Sequence, residues 1–196
     1  MFPRFLILLA AALSGSAAWA QQNMDTYVGF GDLANRAYAI NGTSLTAEGS
    51  HVFSSVTDFG YQLVRVGPAS VWLDVSQIFG SPADLQTSLP GSGRTTWQAY
   101  AAGARLRLPF GRRFSEYALA GVGGGLFHAI VMNGASPTVS TERTFHGLFE
   151  FGGGIDFRLL RWFSLRLDVR DLVTGDQLGA PGRQHVLPTF GMAFHY

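Results

Sequence analysis

Histidine, serine and carboxylate side chains are the groups in this sequence that could support hydrolytic chemistry. A serine nucleophile needs a histidine base within hydrogen-bond reach and an acid that orients the histidine. His146 and Glu150 share one face of a predicted strand, but four residues along a strand span about 13 Å, too far for a direct hydrogen bond. A triad assembled across strands stays open. We predict that the protein is not an enzyme, although five histidines are present: His51, His128, His146, His185 and His195.

The residue types give little support for a metal site, redox chemistry or nucleotide binding. Cysteine is absent, which removes thiolate catalysis, disulfides and cysteine-based metal sites. His51 falls in a predicted loop and His185 at the start of the last predicted strand, next to a loop, and neither has a further ligand pattern. The glycine run 121–125 superficially resembles a phosphate-binding loop, but that chemistry needs a helix N-terminus directly after the glycines, and residues 126–131 are typical of a strand. We predict no catalytic residue, no cofactor and no metal, and the net charge of +1 indicates no nucleic-acid partner.

The first twenty residues are typical of a signal peptide. Arg4 supplies a basic start, residues 5–13 form a short apolar run, and Ala18-Trp19-Ala20 matches a small-x-small cleavage site. The apolar run is much shorter than the roughly 20 residues that a membrane-spanning helix needs. We therefore predict that residues 1–20 are a signal peptide, cleaved at the site formed by Ala18 and Ala20, and that residues 21–196 form the mature domain.

Runs of alternating apolar and polar residues predict a single all-β domain with eight strands. Three short turns, at residues 67–69, 111–113 and 160–161, alternate with four longer polar stretches near 33–53, 80–94, 132–142 and 173–184. Short turns at one end and long loops at the other are typical of an antiparallel up-and-down transmembrane barrel. The predicted strands cover residues 25–32, 54–66, 70–79, 95–108, 115–131, 143–158, 163–172 and 185–196.

The phase of the charges decides which face of the sheet points inward. Phe149, Phe157 and Leu167 share one face, while every ionisable group of residues 145–159 and 163–170 lies on the other. An arginine on the lipid side at the membrane midplane would cost about 2–4 kcal/mol. We therefore expect the apolar face to contact lipid and the charges to be enclosed.

The enclosed charges define a candidate lumen network. An eight-stranded barrel is just wide enough for side chains to fill it, so we predict static pairs of acids and arginines. The alternative is a lumen that conducts protons or ions. The predicted lumen residues are Asp58, Asp74, Arg105, Arg107, Glu116, Glu150, Asp156, Arg158, Arg166, Asp168 and Arg170.

Aromatic and glycine residues support two further predictions. A loop centred near residues 137–138 would place Gly123 opposite Gly152 and join the glycine clusters 121–125 and 152–154 at the tightest bend of the barrel. Six aromatic residues lie near predicted strand ends, where membrane barrels carry interfacial girdles. They are Tyr27, Trp72, Trp97, Tyr117, Trp162 and Tyr196.

The signal peptide, the eight alternating strands and the final Phe194-His195-Tyr196 resemble the small outer-membrane β-barrel superfamily of OmpA-like domains, OmpX and OmpW. Residues 117–125 resemble the central strand of its barrel-domain members. The resemblance spans the mature chain and implies a Gram-negative outer-membrane location, contact with outer-membrane lipid and periplasmic termini. It also implies that the barrel-assembly machinery reads the last strand, with Phe190, Phe194 and Tyr196 as its signal.

The resemblance leaves three functional classes. The first is a structural or surface-interaction barrel whose extracellular ligand is unknown, and we favour it. The second is OmpW-like binding or transport of a small apolar molecule, which needs an apolar lumen entrance such as Ile78, Trp97 and Leu126 would provide. The third is a lipid A-modifying enzyme. A lumen plugged by charge at mid-height would favour the first class.

Overall fold

The computed structural model describes residues 23–33, 38–39, 46–49, 52–87, 91–133, 139–174 and 184–196. The predicted signal peptide with Ala18 and Ala20, His51 and much of the predicted loops lie outside these ranges. In the part that is described, no helix is long and apolar enough to cross a membrane.

Every described element is a β-strand. Two are short, β2 (Tyr38–Ala39) and β3 (Thr46–Gly49), and both lie in the segment between the first two long strands. The eight long strands are β1 (Met24–Leu33), β4 (Val52–Val66), β5 (Ala69–Thr87), β6 (Gly91–Phe110), β7 (Phe114–Asn133), β8 (Val139–Leu160), β9 (Phe163–Thr174) and β10 (Gln184–His195).

The long strands form a closed antiparallel barrel. Each pairs with its neighbour along the chain, and β1 also pairs with β10, where Tyr27 lies opposite Ala193 and Phe30 opposite Phe190. Closure leaves none of the eight with an unpaired edge, so backbone donors and acceptors are satisfied without water. The predicted all-β, eight-stranded up-and-down fold is confirmed.

One end of the barrel carries the tight turns, and we call it the turn end; the other is the loop end. Gly67 and Gly111 take positive φ angles of 59° and 71° in the first two turns, a conformation that glycine adopts without strain. The third turn is at residues 161–162, one residue later than predicted. Met24 and Tyr196 exchange two backbone hydrogen bonds of 3.3 and 2.9 Å, so both ends of the barrel-forming chain meet at the turn end.

Several strands continue further toward the loop end than the sequence predicted. The β5–β6 pairing runs on from Ala83↔Thr95 to Gln86↔Ser92 after a bulge, and β3 adds to it by pairing with β5. Strands of 20 and 22 residues in β7 and β8 exceed the 9–11 residues that cross a bilayer. The prediction ended these strands too early because their loop-end residues are polar. Backbone pairing can continue there, since no lipid requires an apolar face.

Burial confirms the predicted orientation of the sheet. Large apolar side chains lie on the outside, where Phe149 and Leu167 are 47% and 60% exposed. On the inside, Arg166 is fully buried and Glu150 nearly so. A soluble barrel would show the reverse arrangement, because water around its outer face favours polar side chains there. The exposed apolar belt is therefore the surface of a transmembrane barrel.

The predicted meeting of the two glycine clusters is wrong. Gly123 pairs with Leu148, four residues from the expected Gly152, because the loop centre was placed two residues too late. Gly152 instead lies opposite Leu119 on β7 and Arg170 on β9.

Candidate functional site in the lumen

Ten charged side chains occupy the middle of the barrel, and we call them the lumen network. They come from six of the eight long strands, because inward positions recur at every second residue and the closed wall directs them all to one axis. All are buried among the residues that the structure describes. The network consists of Asp25, Asp58, Asp74, Arg105, Arg107, Glu150, Asp156, Arg166, Asp168 and Arg170.

Arg105 and Arg107 connect β6 to carboxylates across the lumen. A terminal nitrogen (Nη2) of Arg105 donates to Asp25 at 2.5 Å, and its Nε lies 2.8 Å from Asp74. Arg107 pairs with Asp156 at 2.7 Å and donates through Nε to Ser115 at 2.9 Å. Each guanidinium therefore bridges groups on different strands.

Arg166 lies at the centre of the lumen network. It holds Asp156 in a two-pronged contact of 2.6 and 3.2 Å and reaches Asp25 at 3.3 Å. Its guanidinium carbon lies 4.9 Å from the ring centroids of both Tyr27 and Tyr117. An arginine between two aromatic faces gains cation–π attraction as well as ion pairing.

Arg170 organises the acids nearer the loop end. It donates to Asp58 and Asp168 at very short range and to Glu150 at 2.8 Å. Ser76 donates a further hydrogen bond of 2.7 Å to Glu150. Charges removed from water are tolerated only when they are paired and hydrogen-bonded, and these contacts meet that requirement.

Gly60 on β4 makes room for one of these ion pairs. A Cβ at this position would collide with the Arg105 guanidinium and the Asp25 carboxylate. Gly154 plays a similar part for the Tyr117 ring, whose hydroxyl oxygen would lie 2.6 Å from an added Cβ. The small residues of the inner face thus leave the volume that the large inward side chains fill.

An apolar layer covers the lumen network on its loop-end side. The cavity within this layer has a volume of about 10 Å³, close to the minimum that holds one water molecule. Among the described residues, the layer is therefore closely packed around a cavity too small for a ligand. Its residues are Leu33, Val56, Ile78, Trp97, Leu148, Leu172 and Leu187.

A serine–histidine contact lies at the turn end of the lumen. Ser164 Oγ is 2.8 Å from His195 Nε2, the spacing of a nucleophile and its base. Ser164 is, however, 0% exposed, so its hydroxyl oxygen is not accessible to a substrate in this arrangement. The contact joins β9 to β10. Among the described residues, no group of three or more metal-ligating side chains is placed to hold an ion.

Comparison with solved structures identifies the fold. OprG of Pseudomonas aeruginosa, an outer membrane protein, aligns with a TM-score of 0.57 and 10% identity over 89% of this chain and 96% of OprG. Ail, the attachment invasion locus protein of Yersinia pestis, aligns at 0.50 and 14% over 89% and 99%. This chain has the fold of the small eight-stranded outer-membrane β-barrels. No protein-family model and no curated protein matches the sequence.

The same barrel fold also occurs in an enzyme. The outer membrane enzyme PagL aligns with a TM-score of 0.50 and 10% identity, over 86% of this chain and 97% of PagL. The fold therefore does not decide whether an eight-stranded barrel is catalytic. That question depends on the side chains of each barrel, and in this one the described serine–histidine contact is enclosed.

Nine of the eleven predicted lumen residues are buried inside the barrel, and two are not. Glu116 is exposed, because Ser115 and Tyr117 on either side of it face inward, so its assignment to the lumen is wrong. Arg158 is half-buried and lines the mouth at the turn end, outside the network. The residues found inside as predicted are Asp58, Asp74, Arg105, Arg107, Glu150, Asp156, Arg166, Asp168 and Arg170.

The prediction missed Asp25, which contacts three arginines of the network. The available signal was the alternation in β1, where Asp25, Tyr27 and Gly29 share the face opposite Thr26, Val28 and Phe30. The girdle prediction instead places Tyr27 at the membrane interface.

The girdle prediction is wrong for four of its six aromatics. Tyr27, Trp72, Trp97 and Tyr117 are buried in the lumen, whereas Trp162 is 55% exposed and Tyr196 half-buried. Proximity to a strand end does not reveal which face a side chain occupies.

The structure also locates the residues that were predicted for an apolar lumen entrance and for the assembly signal. Ile78 and Trp97 belong to the apolar layer, but Leu126 does not, because its cross-strand partner Gln98 is exposed on the outer face. Phe190 is exposed on the outside and Phe194 stacks on Trp162 with ring centroids 6.3 Å apart. Their predicted role in assembly, shared with Tyr196, stays a prediction.

We expect Gly60→Ala to destabilise the barrel by about 1–3 kcal/mol, because the new methyl group must displace the Arg105–Asp25 pair. Gly147→Ala is the matched control, since Gly147 is exposed and an added Cβ there meets no atom within 4 Å. The measurement is urea unfolding in lipid vesicles, followed by the mobility shift of unboiled protein on a denaturing gel. Equal midpoints for the two variants would contradict the assigned role of Gly60.

Proposed function

We propose that this protein is an integral outer-membrane barrel with a closed lumen, which acts structurally or through interactions at its loop end. The observation that carries the proposal is the lumen itself. The lumen network crosses the axis at mid-height, and the cavity within the apolar layer above it measures only about 10 Å³. Among the described residues, side chains fill both levels, which supports a lumen closed to water and ions.

The proposed orientation places the turn end in the periplasm. The alternation of short turns and long connections supports it, because outer-membrane barrels have short periplasmic turns and longer outer loops. Met24 and Tyr196 meet at the turn end, so both termini would be periplasmic. The proposal includes lipid as the partner of the outer apolar face, and the assembly machinery as the partner of Phe190, Phe194 and Tyr196.

The loop end is the proposed site of any recognition outside the cell. β5, β6, β7 and β8 run to 19–22 residues, so their two hairpins project well beyond a bilayer-crossing segment. Protein segments that carry recognition are concentrated on such projections from a rigid scaffold. Attachment, the role named for Ail, is consistent with this use of the fold.

The alternative functions receive less support from the described residues. Transport of a small apolar molecule requires an open apolar entrance, and Ile78 and Trp97 instead belong to a packed layer. Modification of lipid A requires a nucleophile at the membrane surface, and Ser164 is enclosed within the lumen. A closed barrel that works through its outer ends accounts for both arrangements.

A planar lipid bilayer tests whether the lumen is closed. We expect purified wild-type protein, shown to be inserted by its gel mobility, to produce no discrete conductance steps. The double variant Asp156→Ser with Arg166→Ser removes one opposite-charge pair from the network without changing net charge, and we expect small steps from it. Reproducible wild-type steps that scale with salt concentration would overturn the proposal.

Epitope accessibility on intact cells tests location and orientation. We expect a tag inserted between residues 135 and 136, at the loop end, to bind antibody on whole cells. A tag inserted in the Gly67–Pro68 turn should bind only after the outer membrane is permeabilised. The reverse pattern would invert the proposed orientation, and detection of neither tag after permeabilisation of the outer membrane alone would place the protein elsewhere.

A further inference from the structure

The mouth of the lumen at the turn end is a concave site rich in arginine. The cavity measures about 360 Å³, within the range of small-ligand sites. Its lining combines inward-facing lumen residues, including Trp72, with residues of the first two turns. We call it the turn-end cup and define it by five arginines: Arg65, Arg107, Arg112, Arg113 and Arg158.

The charge of the turn-end cup is one-sided. Five arginines line it, and no aspartate or glutamate is among its lining residues. Arg107 already forms ion pairs with Asp156 and Asp25 of the lumen network. Arg112, Arg113 and Arg158 make no ion pair with an acid within the described part of the chain. Like charges gathered around one cavity repel one another, so the arrangement favours an anion between them.

The backbone holds these arginines in place. Gly111 adopts its positive φ in the turn that presents Arg112 and Arg113. The Arg158 backbone N–H donates to the Arg113 carbonyl at 2.7 Å, which ties the end of β8 to that turn. Arg65 enters from the end of β4 and has a weak 3.4 Å contact with Gln62. The end of β4, the turn after β6 and the end of β8 thus place guanidinium groups around one cavity.

We propose that the turn-end cup binds a phosphate group carried by a water-soluble molecule. Guanidinium groups match phosphate oxygens in paired hydrogen bonds. A phosphate monoester presents three terminal oxygens and close to two negative charges, so it engages several arginines at once, whereas a carboxylate presents two oxygens and one charge. Trp72, Ser115 and His195, which face inward, are among the lining residues. Because these residues lie inside the barrel wall, whose outer face is the apolar lipid-facing surface, the position favours a soluble ligand over a lipid headgroup.

The test is isothermal titration calorimetry of the purified barrel in a phosphate-free nonionic detergent, with glycerol 3-phosphate as the probe and acetate as the carboxylate comparison. We expect one-to-one binding of glycerol 3-phosphate and much weaker binding of acetate. Arg112→Gln and Arg113→Gln should each weaken the phosphate ester by about tenfold, since each removes one charge-assisted contact.

Arg161→Gln is the matched control, because Arg161 is an exposed arginine at the same end of the barrel and does not line the cup. We expect it to change affinity by less than about twofold. An equal loss in all three variants would show diffuse surface charge and overturn the site. Equal affinity for acetate would overturn the choice of phosphate.

A second arm distinguishes a soluble ligand from a lipid. The barrel is placed in nanodiscs of phosphatidylglycerol or of phosphatidylcholine, and its unfolding temperature is compared for wild type, Arg112→Gln and Arg161→Gln. The proposal expects no Arg112-dependent difference between the lipids. Arg112-dependent stabilisation by phosphatidylglycerol, without binding of glycerol 3-phosphate, would overturn the soluble source. Absence of both effects would overturn the phosphate site altogether. All arms use purified protein, so the outcome is independent of the proposed orientation.

Discussion

Charge neutralisation inside a closed wall is the constraint on which this structure depends. Arginines such as Arg166 and Arg170 are almost fully removed from solvent, and an unpaired buried charge destabilises a fold by about 3–5 kcal/mol. The acids must therefore lie within reach of the arginines, which is possible only if every strand keeps its register. A slip of one residue would turn the inner face of a strand toward lipid. The network and the strand pairing consequently depend on each other.

The closed wall also limits the size of the side chains that point inward. Two tyrosines flank Arg166 and Arg105 lies near Trp72 and Tyr117 with its guanidinium 5.5 Å from each ring centroid. Such large side chains fit inside an eight-stranded barrel only where the residues opposite them have small side chains. Gly60 and Gly154 provide that space. The lumen is thus divided along its axis into a turn-end cup, a charged middle and an apolar layer.

The sequence predicted the fold and orientation because two strands have an unambiguous phase. In β8 and β9, bulky apolar residues alternate with charges, as Phe157 and Leu167 do with Asp156 and Arg166. In the other strands the alternation of apolar and charged residues is weaker. Around Glu116 in β7, alanine and glycine occupy both faces, so charge alone suggested an inward position that the structure contradicts. Loop-end strand limits could not be predicted either, because pairing beyond the membrane requires no apolar face.

Contacts between strands distant along the chain were beyond the sequence pattern. Asp25 lies 80 residues before Arg105 and 141 before Arg166, and alternation within one strand carries no information about the opposite wall. The glycine register failed for a related reason, since a two-residue error in a loop centre becomes a four-residue error in pairing. Face assignments are local and predictable, whereas partners across the lumen depend on the closed geometry.

Spin-label accessibility along β9 tests the central claim most directly. The chain contains no cysteine, so single cysteines can be introduced at Leu165, Leu167 and Val169 on the outer face and at Ser164, Leu172 and Thr174 on the inner face. In lipid vesicles, we predict high collision rates with dissolved oxygen and low rates with a water-soluble nickel chelate at the outer positions, and low rates with both reagents at the inner ones. Nickel-chelate collisions that peak at 165, 167 and 169 would place that face in water and contradict the membrane barrel.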